Sequence, residues 1–430
     1  MKTIRLGDVA DVRISGVDKK TLPNEIPVRL CNYTDVYYNW AIREEKSQTF
    51  MLASAKQDEI TRFRLHAGQV AITKDSETRE DIGHATFIAN DFDDVILGYH
   101  CALITPHAGK LDGQYLNALF RMHYVSDYLS RNAGGSGQRY YLSESAIRSI
   151  PLFLPPINAQ LRIAGVLGSI DEKIELNRKK ITELEALAKT IYDYWFVQFD
   201  FPDKNGKPYK SSGGKMVWNE QLKREVPEGW EVVPLSSLAE KITKGTTPTS
   251  IGASFSESGI RFIKVENVVG ERLVLTPETF ISAETHARMA RSSLEKNDLL
   301  MTIAGRLGDV AIVPHQILPS NTNQAVGIVR FKSEYLYVAS YVHAYLSTKQ
   351  MHKKLQNLNA QSIQKNLNLE IVGQIDILFD PIVVHQFTDV IENIVEGIFD
   401  LQEANREFIR HRDMLLPLLM NGQVEIKVSK

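Results

Sequence analysis

Two stretches of the chain combine base-reading side chains with an absence of acids. From Tyr335 to Leu369 there is no Asp or Glu, while Lys349, Lys353, Lys354 and Lys365 alternate with Gln356, Asn357, Asn359, Gln361, Gln364 and Asn366. From Tyr128 to Ser143 acids are again missing, and Arg131, Asn132, Gln138, Arg139, Tyr140 and Tyr141 surround Gly134, Gly135 and Gly137. Asn, Gln and Arg can each make two hydrogen bonds to one base edge, and Lys anchors phosphates, so this mixture suits contact with DNA. Each stretch lies just before a proline-ended extended run. That matched position argues against a solvated loop with incidental charge bias, which is the alternative for either stretch alone. A second and weaker pair is the turn Thr73 to Gly83, with Lys74 and Arg79, and its counterpart Thr302 to Gly308, with Arg306. Acids and glycines in these turns also suit ordinary hairpins.

Covalent chemistry has no matching constellation. There is no Gly-x-x-x-x-Gly-Lys-Ser/Thr loop, so no nucleotide-driven motor is expected, and no Asn or Asp followed by Pro-Pro-aromatic to suggest transfer of a methyl group to a base amine. The 11 histidines are scattered without metal-ligand spacing; His84, His100 and His107 come nearest to a group and read as core or surface residues. Paired acids such as Asp93, Asp94 and Asp171, Glu172 read as solvated. The expectation is therefore a chain without catalytic residues, metal or cofactor.

The elements that position the candidate loops follow from bulk properties first. At 430 residues with 43% apolar and 24% charged side chains, the chain is ordinary globular material and longer than one core usually serves, so two or more domains are expected. The most apolar run, Ile150 to Ile157, is interrupted by Pro151, Pro155 and Pro156, which argues against a membrane span or a signal peptide and for a cytoplasmic protein. Only Cys31 and Cys101 occur, too few for a disulfide framework, and both are expected as buried small apolar residues. The formal net charge of -2 is unlike that of an autonomous DNA-binding domain. It is compatible with a chain that reads bases while partners neutralise much of the phosphate charge.

The strongest internal signal is a duplication. Leu65, Gly68, Gln69, Val70 and Thr73 align with Leu294, Asn297, Asp298, Leu299 and Thr302 at an offset of 229, and Gly83 and Ile88 with Gly308 and Val313 at 225. The run Ile150 to Pro156 matches Ile375 to Pro381 at 225, and Asn177, Arg178 match Asn405, Arg406 at 228. Each half thus runs from a mixed region of short strands through a proline-ended strand into a long helical pattern. Between the halves, Pro202 to Gly229 is polar and rich in turn formers, which reads as a linker holding one hairpin.

In the first helical pattern, Leu167, Ile170, Ile174, Asn177, Ile181, Leu184, Ala188, Ile191 and Trp195 alternate in steps of three and four. In the second, Ile391, Ile394, Ile398, Leu401, Asn405, Phe408, Arg412 and Leu415 do the same, less regularly. Seams of this length, flanked by charge, call for a partner helix, and each copy is the partner available to the other. Packing of each helix on its own domain is the alternative. Asn177 and Asn405 fall on the seams, where a buried amide costs stability and sets register, so they read as register pins. Pro417 is expected to end the paired segment. Leu167 to Trp195 rises on the order of 40 Å, comparable with one turn of DNA at roughly 35 Å, so an antiparallel pair would act as a ruler between two reading heads.

Ile150, Pro151, Leu152, then Leu154, Pro155, Pro156, followed by Gln160, Ile163, Ala164 and Leu167 entering a helix that ends near Trp195 and Phe196, resemble the central conserved region of type I restriction-modification specificity subunits. The copy after Pro381, with Gln386, resembles their distal region, and Pro227, Gly229 and Trp230 the entry to their second recognition domain. The resemblance spans nearly the whole chain. It implies α/β (α+β) recognition domains in tandem duplication, each followed by a long helix, with the two helices paired as an antiparallel coiled coil. The corresponding boundaries are residues 1–155 and 230–380 for the recognition domains, 156–200 and 381–425 for the central and distal helices, and 201–229 for the linker. It further implies double-stranded DNA with a bipartite target as ligand, and two methyltransferase subunits and motor-nuclease subunits as partners. The candidate DNA contacts are Lys74, Arg131, Asn132, Gln138, Arg139, Tyr140, Arg306, Lys353, Lys354, Gln361, Gln364 and Lys365. A protein-interaction scaffold with incidental DNA contact is the competing reading, favoured by the near-neutral charge, and a nuclease or methyltransferase with a diverged centre is a third.

Overall fold

The computed structural model describes residues 3–135, 137–360 (backbone alone at 356–360), 367–424 and 426. The chain divides into two compact units, and the division falls inside both long helices: Met1–Leu176 with Asn405–Lys430 form one, Asn177–Ala404 the other. Each unit therefore joins a mixed domain to one stretch of the central helix, Ile157–Tyr192, and one stretch of the distal helix, Pro381–Met420.

In the first unit, a mixed sheet orders strands Ala10–Ile14, Cys101–Pro106, Val70–Thr73, Ala85–Ile88 and Ala41–Ile42. A second sheet orders Met51–Ala55, Ile26–Cys31 and Val95–Leu97. Val70–Thr73 is buried along its whole length, as an apolar run without alternation requires when both sheet faces are covered. Cys31 and Cys101 are fully buried free thiols in the core between the sheets.

The second unit repeats this plan with Ala239–Lys244, Val326–Phe331, Leu299–Thr302 and Val310–Ile312 in one sheet, and Phe280–Ile281, Ile260–Ile263 and Ser320–Thr322 in another. The duplication is exact enough that single backbone hydrogen bonds recur. Leu6 N donates to Ile150 O and Leu235 N to Ile375 O, both at 2.9 Å. These bonds pair the opening strand of each half with its proline-ended strand, Ile4 opposite Leu152 and Glu231 opposite Phe379. The stretch between the halves is built into the second unit: it forms the hairpin Met216–Asn219 with Arg224–Pro227, and Phe201, Val226 and Trp230 are buried in the unit's core. There Trp230 stacks on Phe201 and meets Phe196 and Phe199.

Within each unit the helix stretches run antiparallel. In the first, Asn405 Nδ2 donates to Ile174 O at 3.3 Å while Arg412 lies 3.9 Å from Asp171, so ascending one helix descends the other. In the second, Leu184 lies beside Gly397 and Tyr192 meets Phe387 edge-on. Asn177 and Asn405 are both buried, as a seam position requires. Pro417 does not end the packed segment: the helix continues to Met420, and Leu416 and Leu419 are buried in the core of the first unit. The proline sits on the exposed side of the last turn, while its apolar neighbours Leu416 and Leu419 stay buried.

Arg412, the irregular member of the distal seam, answers the buried carboxylate of Asp171, which also accepts from Arg43 Nη2 at 2.8 Å. Its guanidinium lies over the ring of Trp40, 4.2 Å from the centroid. An acid only 4% exposed needs such partners, because an unpaired charge in that position loses its hydration without return. Asp171→Ala would strand two guanidiniums at the contact between domain and helices. The expected loss is about 3 kcal/mol of unfolding free energy in urea titration, and an unchanged midpoint would show that the cluster does not hold this unit together.

Candidate nucleic-acid interface

The two candidate stretches of the first half, some sixty residues apart in the chain, meet in one three-stranded sheet. Gly134–Gly135 pairs with Tyr140–Tyr141, which pairs with Asp75–Ser76, so Tyr140 faces Ser76 and Tyr141 faces Asp75. Leu142 N closes the arrangement by donating to Lys74 O at 2.8 Å. Gly135 is required at its position: φ is +109°, and a Cβ there would lie 2.2 Å from the Arg139 carbonyl oxygen. The hairpin presents Gln138 and Arg139 exposed, with Tyr140 half-buried and the Arg79 guanidinium 5.1 Å from the Tyr140 centroid.

Arg131 is exposed, on the last turn of helix His123–Asn132, 3.6 Å from Asp127, and Asn132 donates to the carbonyl of Tyr128 at 2.8 Å. Lys74 stands apart from the other candidates. Its ammonium is 2.9 Å from the Asp75 carboxylate, which also receives His100 Nδ1 at 2.6 Å, and all three side chains are largely buried. This cluster props the hairpin from beneath.

Sequence reasoning missed an aromatic group on helix Tyr33–Tyr38. Tyr37 OH donates to Asp81 at 2.8 Å, and His84 Nε2 meets the same carboxylate at 2.8 Å. Tyr33 stacks on Tyr37, the His84 ring lies 4.1 Å from Tyr37, and Tyr38 is 75% exposed. The Asp81 hydrogen bond and then burial push the Tyr37 phenol up to about 12, and burial does the same for Tyr33, so both remain protonated donors in any neutral solution. The only sequence signal was Tyr33, Tyr37 and Tyr38 within six residues, without a partner in view. His84 and His100, the histidines nearest to a group in the sequence, each serve a carboxylate.

The second unit reproduces the frame. Gly83 N donates to Thr73 O at 3.1 Å and Gly308 N to Thr302 O at 3.0 Å; Leu142 N to Lys74 O is matched by Leu367 N to Ile303 O at 2.9 Å. A Cβ on Gly83 would collide with Leu129, and one on Gly308 would press on Leu355, so each glycine lets a helix lie against its turn. Arg306 is exposed, donates to Val268 O at 3.2 Å and lies 3.5 Å from Asp309. Lys353 and Lys354 are exposed on helix Lys349–Ala360, whose opposite side buries Met351 and Leu355. Gln361, Gln364 and Lys365 lie outside the described residues.

The groups presented are guanidiniums, ammoniums, amides, phenols and flat rings, a set that binds polyanions and base edges by donation and stacking. Gly135→Ala should release the hairpin while leaving the surrounding core folded. Hydrogen exchange across residues 134–141 would then accelerate at least tenfold with little change elsewhere, whereas unaltered protection would mean the left-handed glycine is dispensable.

Comparison with known proteins follows the same division. A family model described as the type I restriction modification DNA specificity domain matches residues 1–186 and again 227–383. The chain is 23% identical over 402 residues to the specificity subunit of the type I restriction enzyme HindI of Haemophilus influenzae, covering 81% of this chain and 85% of that one. It is 23% identical over 327 residues to the MjaIX specificity subunit of Methanocaldococcus jannaschii, covering 75% and 72%. The crystal structure of a type I restriction-modification S subunit from M. genitalium shares the fold, with a TM-score of 0.58 at 14% identity over 99% of this chain and 96% of that one.

Proposed function

We propose, because this chain belongs to the type I restriction modification DNA specificity family, that it is the non-catalytic subunit that reads a bipartite DNA target for a methyltransferase and restriction complex. The observation that carries the proposal is the duplication itself. One recognition frame, down to its backbone hydrogen bonds, occurs twice, each time ahead of a long helix and each time under a family match. Two copies of one frame suit two half-sites. The domains take the boundaries 1–155 and 230–380, with 201–229 between the halves.

In this reading Gln138 and Arg139 meet base edges, Arg79, Arg131, Lys353 and Lys354 meet phosphates, and Tyr140 and Asn132 complete the first contact surface. Arg306, Gln361, Gln364 and Lys365 are the corresponding candidates of the second domain. Lys74 acts by holding Asp75 under the hairpin. Asn177 and Asn405 set the register of the helix pair, which docks the methyltransferase subunits, with motor-nuclease subunits joining for restriction. The near-neutral charge fits a reader whose partners supply phosphate contacts, and the complex works in the cytoplasm, where the DNA is. A linear fall of log affinity with log salt in the assembled complex separates this reading from a scaffold that touches DNA incidentally.

Helices of 36 and 40 residues rise about 54 and 60 Å at 1.5 Å per residue, long enough to govern a separation of one to two turns of DNA. Inserting one heptad into each helix should lengthen the unspecified spacer of the methylated target and leave both half-sites unaltered. Replacing residues 1–155 by another recognition domain should change one half-site alone. Sequencing of the methylated sites reads both outcomes, and altered half-sites with a constant spacer would overturn the ruler.

A further inference from the structure

One outward place in the duplicated frame carries an acid in the first unit and an arginine in the second. Thr73 N donates to His84 O at 2.9 Å and His84 N to Thr73 Oγ1 at 3.0 Å; Thr302 N donates to Asp309 O at 2.8 Å and Asp309 N to Thr302 Oγ1 at 3.0 Å. His84 and Asp309 are therefore counterparts. Three residues before them, ahead of the buried Ile82 and Leu307 and the paired Gly83 and Gly308, stand Asp81 and Arg306. The segment that meets them repeats as well. Asn32 N donates to Asp35 Oδ2 at 2.9 Å and Lys264 N to Asn267 Oδ1 at 2.8 Å, with Val36 and Val268 fully buried next along the chain, so Tyr37 corresponds to Val269.

Around this constant backbone three side chains change together. In the first unit Tyr37 OH donates to Asp81 Oδ1 and His84 Nε2 meets the same oxygen, both at 2.8 Å. In the second, Val269 has no hydroxyl to give, and Arg306 donates to Val268 O and pairs with Asp309. The frame stands there without tyrosine or acid, so folding does not demand them. What the set in the first unit accomplishes is orientation. Two groups hold Oδ1, while Oδ2 makes no hydrogen bond among the described residues and the Asp81 side chain is 45% exposed.

A carboxylate only accepts, so when fixed and half-exposed it sorts base edges by what they donate. In the major groove cytosine presents its N4 amino donor alone, whereas adenine and guanine add the N7 acceptor and thymine offers O4, each of which meets a carboxylate with like polarity. Arginine at the same place reverses the preference, since its fork of donors suits guanine O6 and N7. We propose that Asp81 is a specificity-determining residue of the first recognition domain, its open oxygen accepting from N4 of a cytosine in the half-site that this domain reads, with Tyr37 and His84 as positioning residues. The inference rests on the chain reading DNA as proposed above, and adds to it a base and the atom that selects it.

The test uses the full chain assembled with its methyltransferase subunits on a pool of duplexes randomised across the target, and sequences those that become methylated. A wild-type complex that selects no split motif removes the reading of DNA itself, and this inference with it. Where the wild type selects one, Asp81→Asn, a change of the same size, should cut the preference for cytosine at one position of one half-site about tenfold and leave the other half-site unchanged. Tyr37→Phe, which removes one of the two holds on Oδ1, should relax the same position by less. Asp81→Arg together with His84→Asp copies the pair around which the second unit already folds, and should replace that cytosine by guanine on the same strand. Should Asp81→Asn fail to assemble, this double variant decides, and a retained cytosine overturns the proposal. So does a motif that survives Asp81→Asn, relaxation at an A·T pair, or loss of methylation spread evenly over all sequences.

Discussion

A helix whose apolar seam outruns the domain beside it must be covered by a second helix, and in this chain the cover comes from the other end of the sequence. The first stretch of the central helix is packed with residues beyond Asn405, and its remainder with residues before them. The first compact unit is discontinuous in sequence as a result, while the second is the single stretch Asn177–Ala404. Burial of Ala164, Leu167, Leu416 and Leu419 in the first unit, and of Tyr192, Phe387 and Ile391 in the second, ties each domain to both helices.

Duplication preserved the backbone frame and released the side chains. His66 N donates to Gln69 Oε1 in the first half, and Glu295 N to Asp298 Oδ2 in the second, both at 2.8 Å. Gln69 then binds Thr105 as a neutral pair, whereas Asp298, almost fully buried, is gripped by two nitrogens of Arg330. The buried acid is tolerable because the guanidinium fork meets both carboxylate oxygens. The same freedom lets loops diverge on a frame that stays constant.

The duplication and the seams were legible because they rest on local rules: glycines where a turn needs them, apolar residues in steps of three and four, prolines that bar helix. The sheet that seats the hairpin was not, since pairing of Tyr140–Tyr141 with Asp75–Ser76 joins segments with no periodic relation. The Tyr33, Tyr37, Asp81 and His84 group escaped for the same reason. Lys74 read as a free cation because composition does not report side-chain direction, and its ammonium turns to Asp75. Arg412 looked like a defect in the seam until Asp171 and Trp40 were seen beside it. Pro417 was read by its cost alone, without the buried Leu416 and Leu419 that flank it.

The account rests on this chain deciding which DNA sequence is modified. Its most direct test is the methylome of cells carrying the gene with its methyltransferase partner, compared with cells in which this gene alone is deleted. Loss of methylation at one split motif, with all other sites retained, is the predicted result. An unchanged methylome, with the protein and its partner both present before the deletion, would contradict it.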